Sequence, residues 1–415
     1  MGSVPGPLAA RGAVARDSAG PRAPRARGWA WRLARLAQPV LAPSPASMRR
    51  IALAGVVASA GIIMTGAGVR LSQSGLGCPD WPRCTAASIV ASGATGDPLV
   101  HRWVEFGNRL VTVAIFVIAV MVWVAAWRYR PDRVSPRGDD PPSTPRRGAS
   151  SAKSVGRRAD LVWLASAQPA GIVGQAVLGG IVVLTNLDPV WVSFHFVFSM
   201  ALVAAAVALY VRCAEGRGPA RLLVARELRL FALGAVAVLG VMIVAGTVVT
   251  GTGPLAGGRL PNGRLIPRFH LPLSGVTQFH ADIGWLLAGL AIALVLGLRL
   301  TRAPRQAVRL GWVLLALIGA QGVIGYAQYF SGLPAGLVWV HVSDATLIWI
   351  IAIRLLFALR DRGRLTENTA ADDTAADGTA ADGTVADGTV SADALVADIG
   401  AADPRPALSP DAHPR

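Results

Sequence analysis

Two stretches of this chain repeat one polar pattern and end in a histidine. Gln175-Ala-Val-Leu-Gly179 runs on to Val192-Ser-Phe-His195, and Gln321-Gly-Val-Ile-Gly325 runs on to Trp339-Val-His341. In both, the glutamine precedes the glycine by four positions and the histidine by 20. A third histidine, His280, lies in similarly apolar surroundings, as does the cluster Glu105, Asn108 and Arg109, with His101 upstream. Imidazole nitrogen is a good donor to haem iron and to zinc. A carboxylate beside an arginine can carry a proton or simply form an ion pair. Cys78 and Cys84 complete the set of reactive side chains near one another in sequence.

The elements that position these groups are apolar. The chain is 53% hydrophobic and only 15% charged over 415 residues, whereas a soluble globule carries about a quarter charged residues. Eight runs, at 51–69, 104–127, 161–184, 190–211, 230–250, 277–298, 308–329 and 336–358, are each long enough to cross a bilayer as a helix. The expected fold is an all-α integral membrane protein, with the eight helices forming two pseudo-symmetric four-helix bundles. An even number of crossings per half places both halves in the same orientation, unlike the inverted repeats of many transporters. Thr65-Gly-Ala-Gly68 and Thr250-Gly-Thr-Gly253, at the ends of the first and fifth runs, add a weaker repeat.

The net charge of +16 reports topology. Of 40 Lys and Arg residues, 33 fall before the first run, between the second and third, fourth and fifth, or sixth and seventh, or from Arg354 onward. This positive-inside bias places both termini in the cytoplasm and suits anionic lipid heads. No basic platform interleaved with aromatics suggests nucleic acid. Residues 1–48, rich in Pro, Ala and Arg, read as a disordered cytoplasmic leader, and Arg49-Arg50 as a stop of positive charge rather than a twin-arginine signal. Residues 49–211 form the first bundle with a linker at 128–160, 212–360 the second, and 361–415 an acidic low-complexity tail.

Segments two, four, six and eight enter from the outer side. They bring Glu105, Asn108 and Arg109, then His195, His280 and His341, to one depth within about two turns of that entry. Ionisable groups at such depth are costly and mark a site facing the bundle interior. Two histidines on facing helices can hold a haem plane between them, and His280 with His341 make such a pair. Zinc is less well served, because no further Cys or carboxylate stands beside these histidines. Cys78 and Cys84 read as a disulfide in the first outer loop, where oxidation is available, with free thiols or a metal pair as alternatives; Cys213, at an inner helix end, reads as a reduced thiol. Gln175 and Gln321 read as helix-to-helix hydrogen bonds, and Trp81, Trp103, Trp191 and Trp339 as an aromatic belt.

The stretch Thr65-Gly-Ala-Gly-Val-Arg-Leu-Ser-Gln-Ser-Gly-Leu-Gly-Cys-Pro-Asp-Trp-Pro-Arg-Cys84 resembles the first outer loop of haem A synthases. Glu105-Phe-Gly-Asn-Arg109, Leu178-Gly-Gly180, Phe194-His195, Gln278-Phe-His280 and Val340-His341 follow in that family's order, over about residues 50–360. The resemblance implies a bacterial plasma-membrane enzyme that oxidises a ring methyl of haem O to a formyl group, giving haem A for terminal oxidases. It implies a haem b cofactor in the second half at His280 and His341, and substrate haem O in the first half at His195. A haem O synthase would supply the substrate. The electron donor, the oxygen source and any homo-oligomer are left unspecified.

The family commonly carries Glu-x-x-His-Arg where this chain has Asn108. Asn is a poor iron ligand, so the first half offers His195 with packing and propionate contacts, or His101 as a displaced ligand. Glu105 either pairs with Arg109 or moves protons beside the substrate methyl, and Arg109 and Arg70 suit a propionate. A membrane b-type cytochrome serving quinone and a membrane transporter are the competing readings.

Overall fold

The computed structural model describes residues 1–2, 30–91, 99–130, 157–258, 260 and 264–363. Nine α-helices lie among them: α1 (Ala30–Leu41), α2 (Pro45–Leu71), α3 (Leu99–Arg128), α4 (Ala159–Leu184), α5 (Pro189–Arg212), α6 (Arg226–Thr252), α7 (Leu273–Leu300), α8 (Arg305–Phe330) and α9 (Ala335–Ala358). The last eight of these are all long and apolar enough to span a bilayer. Each contains one of the eight runs and extends it, because polar caps and prolines set the helix ends rather than the last apolar residue. Ser44 and Ser47 form a reciprocal capping box around Pro45 at the start of α2. Asp188 accepts from the Val190 amide at 2.9 Å and starts α5 at Pro189.

Two elements depart from the sequence reading. The leader expected over 1–48 contains α1, whose Val40 packs on the core formed by Met48, Ala52, Val122 and Leu161. Arginines interspersed with Leu and Val hide an apolar face in what composition alone reads as a basic coil; residues 3–29 lie outside the described residues. Arg360 and Asp361 form β2, which pairs antiparallel with β1 (Arg221–Leu222), so the tail expected from 361 begins inside a short ladder. Two residues per strand leave no alternating pattern to read. Residues 131–156 and 364–415, in the linker and tail, lie outside the described residues.

Helices α2–α5 pack in a ring, as do α6–α9, and the two rings meet through α2 and α5 against α6 and α9. The seam is one continuous apolar core: Val56 and Ile63 of α2, Met200 and Val203 of α5, Ile243 of α6 and Ile348 of α9 belong to a single cluster. Two indoles pin it with hydrogen bonds from α9 to backbone carbonyls, Trp349 Nε1 to Met200 at 2.8 Å and Trp339 Nε1 to Met64 at 2.8 Å. Trp339, expected in an aromatic belt, is therefore also a helix-to-helix tie.

At the arginine-rich end, a polar network closes the fold. The buried Arg158 donates to Asp160 Oδ1 at 2.9 Å and to the Glu215 carbonyl at 2.9 Å. Arg212 pairs with Asp160 and with Glu215, and Glu215 also meets Arg360 at 3.3 Å. Cys213 is buried beside this network, and burial pushes its thiol up to about 12, so at neutral pH it stays protonated and unreactive.

Candidate functional site

The histidines sit against glycines. A Cβ placed on Gly325 of α8 would lie 3.4 Å from Cε1 of His341 on α9, one on Gly179 of α4 would lie 3.4 Å from Cε1 of His195 on α5, and one on Gly246 of α6 would lie 3.2 Å from Cε1 of His280 on α7. Each imidazole thus approaches a neighbouring helix where no side chain intervenes. The repeated glutamines fix the helices that carry two of them. Gln175 Nε2 donates to the His195 carbonyl at 2.9 Å and to Ser199 Oγ at 2.7 Å, and Gln321 Nε2 donates to the His341 carbonyl at 3.0 Å.

The rings themselves are left for a ligand. Nδ1 of His195 and of His341 is buried and has no hydrogen-bond partner among the described residues, whereas the His280 ring is in hydrogen-bonding contact with the Met242 backbone. The three Nδ1 atoms face the glycine-bearing helices, 3.7–3.9 Å from where a Cβ would stand on Gly246, Gly325 and Gly179, so an incoming metal complex would be met by the other ring nitrogen, Nε2. His280 and His341 have ring centroids 6.3 Å apart, tilted by 54°. Metal–imidazole bonds of about 2.0–2.1 Å imply ring centres roughly 6 Å apart when two imidazoles reach one ion from opposite sides. Among the described residues, no three His, Cys, Asp or Glu side chains converge on a metal-sized site. A bare ion would want more protein ligands than this pair. A haem iron needs only axial ones, and the pair fits it.

The first half departs from this arrangement at α3. Asn108 Oδ1 accepts from the Thr65 hydroxyl of α2 at 2.8 Å, and its carbonyl accepts from Thr112 at 3.0 Å. His101 is placed elsewhere: its Nδ1 meets Ser74 Oγ at 2.8 Å. That contact uses one ring nitrogen only; what separates His101 from the Asn108 position is seven residues of helix, about 10 Å along the axis.

Cys78 and Cys84 are joined by a disulfide, and the loop they close is held by the Glu105–Arg109 pair. Glu105 is buried. Its Oε2 accepts from the Cys78 amide at 2.8 Å and its Oε1 from Arg109 Nη2 at 2.6 Å. Arg109 donates further to the carbonyls of Cys78 at 2.9 Å and Arg83 at 3.0 Å. Both members of the expected ion pair therefore also clamp the loop, and most of the Arg109 donors are already used. On the other side of the loop the Trp81 ring lies over Gly180 of α4, where a Cβ would come within 2.6 Å of Cδ2. Trp81 packs on a helix, a role the aromatic-belt reading did not contain. Arg70, at the end of α2, keeps Nε and Nη2 buried without hydrogen-bond partners, which leaves it able to receive a carboxylate.

Gly246 was not singled out in the sequence, nor was its counterpart Gly61. The signal was present: Gly61 precedes Thr65 by four residues, as Gly246 precedes Thr250. A Cβ on Gly61 would meet nothing within 4 Å. Gly246→Val is therefore expected to displace His280 and abolish any six-coordinate haem signal of the second half, while Gly61→Val leaves that signal intact. Absorption spectra of the two purified variants check this.

Fold and site together define a multi-pass membrane protein with one pair of facing imidazoles, His280 and His341, and a third imidazole, His195, at the equivalent place in the other half. The family described as cytochrome oxidase assembly protein matches residues 49–353, and this chain belongs to it. Among curated relatives, a heme A synthase of Lysinibacillus sphaericus (strain C3-41) is 39% identical over 74 residues, 18% of this chain and 23% of that protein. Heme A synthases of Geobacillus thermodenitrificans and Bacillus cereus (strain 03BB102) are each 32% identical over 68 residues, 16% of this chain and 20% of theirs. The matched stretches thus span less than a quarter of these relatives' own length.

Proposed function

We propose that this chain is a haem A synthase, which oxidises a ring methyl of haem O to the formyl group of haem A for a terminal oxidase. The observation that carries the reading is the set of glycine-cradled imidazoles, with His280 and His341 6.3 Å apart, in a member of an oxidase-assembly family. In this reading residues 212–360 hold a haem b between His280 and His341, which supplies a redox centre. Residues 49–211 receive haem O, with His195 as its axial imidazole. Arg70, and any Arg109 donor not used by the loop, meet propionates. Glu105 lies where the disulfide loop covers the first half, and holds or moves a proton near the substrate methyl.

The arginine distribution supports an orientation with both termini cytoplasmic and the Cys78–Cys84 loop outside, and the bacterial relatives support a bacterial plasma membrane. A haem O synthase in the same membrane is the source of substrate. The test is pigment extraction from membranes that express the chain alongside a source of haem O. A formylated haem is the expected result. Haem O recovered unchanged beside haem b would overturn the enzyme reading in favour of an electron-transfer cytochrome.

A further inference from the structure

Four glycines occupy matching places, and only three carry an imidazole. Gly246 faces His280, Gly325 faces His341 and Gly179 faces His195, each within contact distance of a ring carbon. Gly61 of α2 has open space where its neighbour on α3 would supply the fourth ring. The α3 side chain there is Asn108, shorter than histidine and turned to Thr65, whose hydroxyl holds its Oδ1 at 2.8 Å. No hydrogen bond of the Asn108 Nδ2 amide is present among the described residues. A neutral amide is a weak donor to iron beside imidazole, so this position offers room and a hydrogen-bond donor in place of a ligand.

Neither ionisable neighbour on α3 fills the gap. His101 is tied to Ser74 and lies seven residues away, about 10 Å along the helix axis. Glu105 is committed to the Cys78 amide and Arg109. We propose that a haem in the first half is five-coordinate, with His195 as its single axial imidazole. Its other face, toward Gly61, Thr65 and Asn108, is then an open binding site for a small exogenous ligand of the carbon monoxide class. Polarity and donors on the open side of a haem govern which small ligands bind, and here the available donor is the Asn108 Nδ2 amide, since the Thr65 hydroxyl already donates to Asn108 Oδ1. The two halves therefore differ in kind: one closed at both axial positions, one open. This inference rests on the reading of residues 49–211 as the half that receives haem.

The experiment loads the purified full-length protein with haem O, reduces it and exposes it to carbon monoxide. The expected result is a high-spin signal besides the low-spin signal of the second half, and a carbon monoxide difference spectrum that His195→Ala removes. Asn108→His is expected to convert the high-spin signal to low-spin and abolish carbon monoxide binding, since Gly61 leaves room for the ring. Asn108→Ala is expected to keep the high-spin signal. The retained low-spin signal of the second half shows that each variant folds. A His195-dependent haem that is already low-spin and inert to carbon monoxide in the wild type overturns the inference while the substrate-half reading stands. Failure to retain haem O in any His195-dependent way overturns that reading, and the inference with it.

Discussion

Replacing His341 with alanine is expected to abolish the low-spin haem b spectrum of the purified protein, and His280→Ala is expected to do the same. Each supplies one of two imidazoles whose ring centres stand 6.3 Å apart. With one removed the iron keeps a single strong axial bond, and a six-coordinate low-spin state cannot persist. The double variant should be no worse than either single one, because the two ligands act as a unit and their effects do not add. His195→Ala is the control: it lies in the other half and should leave this signal in place. The helices should survive these changes, because Gln321 is bonded to the backbone carbonyl of residue 341 and not to the ring. A low-spin spectrum that persists in His341→Ala, measured after haem-replete expression, would remove that residue from the ligand set.

The second large effect is expected at Glu105. Glu105→Ala should lower haem A formation by about 10²-fold or more, the range over which a positioned acid or base acts, while the low-spin signal of the second half remains. The same change leaves Arg109 without its carboxylate and the Cys78 amide without its acceptor. Breaking a buried ion pair by deleting one partner costs about 3–5 kcal/mol, and the partial exposure of Arg109 places this case toward the lower end. Glu105→Gln separates the two roles. Its side-chain oxygen can still accept from the Cys78 amide, so thermal stability should largely return, but it cannot carry a proton and haem A formation should stay low. Recovery of both in Glu105→Gln would reduce Glu105 to a clamp on the disulfide loop.

The spans were legible because length and apolarity are properties of each segment alone. The repeat was legible in Gln175 to His195 and Gln321 to His341 because identical spacing survives in one dimension. What escaped depends on partners distant in sequence. Nothing in the loop announces that the Cys78 amide will bond Glu105, since a backbone donor has no residue type. Trp81 sits at a segment end and so resembles any interfacial tryptophan; only the bare surface of Gly180 beneath it shows otherwise. The glycine opposite each histidine is unremarkable in a chain with 46 glycines. Helix α1 was hidden for a different reason, its arginines diluting an apolar face that only packing makes apparent.

The short ladder and the arginine network at the end opposite the disulfide loop have a mechanical consequence. Arg158 and Arg212 belong to the ends of α4 and α5, while Arg360 and the β2 strand follow directly from α9, and the Gly216 amide donates to the Gly363 carbonyl at 2.7 Å. Trp339 Nε1 on the Met64 carbonyl fastens the same two halves again beside His341, at the other end of the seam. Held at both ends and filled by apolar side chains between, the seam resists spreading. A flat, bulky guest would therefore have to part the helices within its own half.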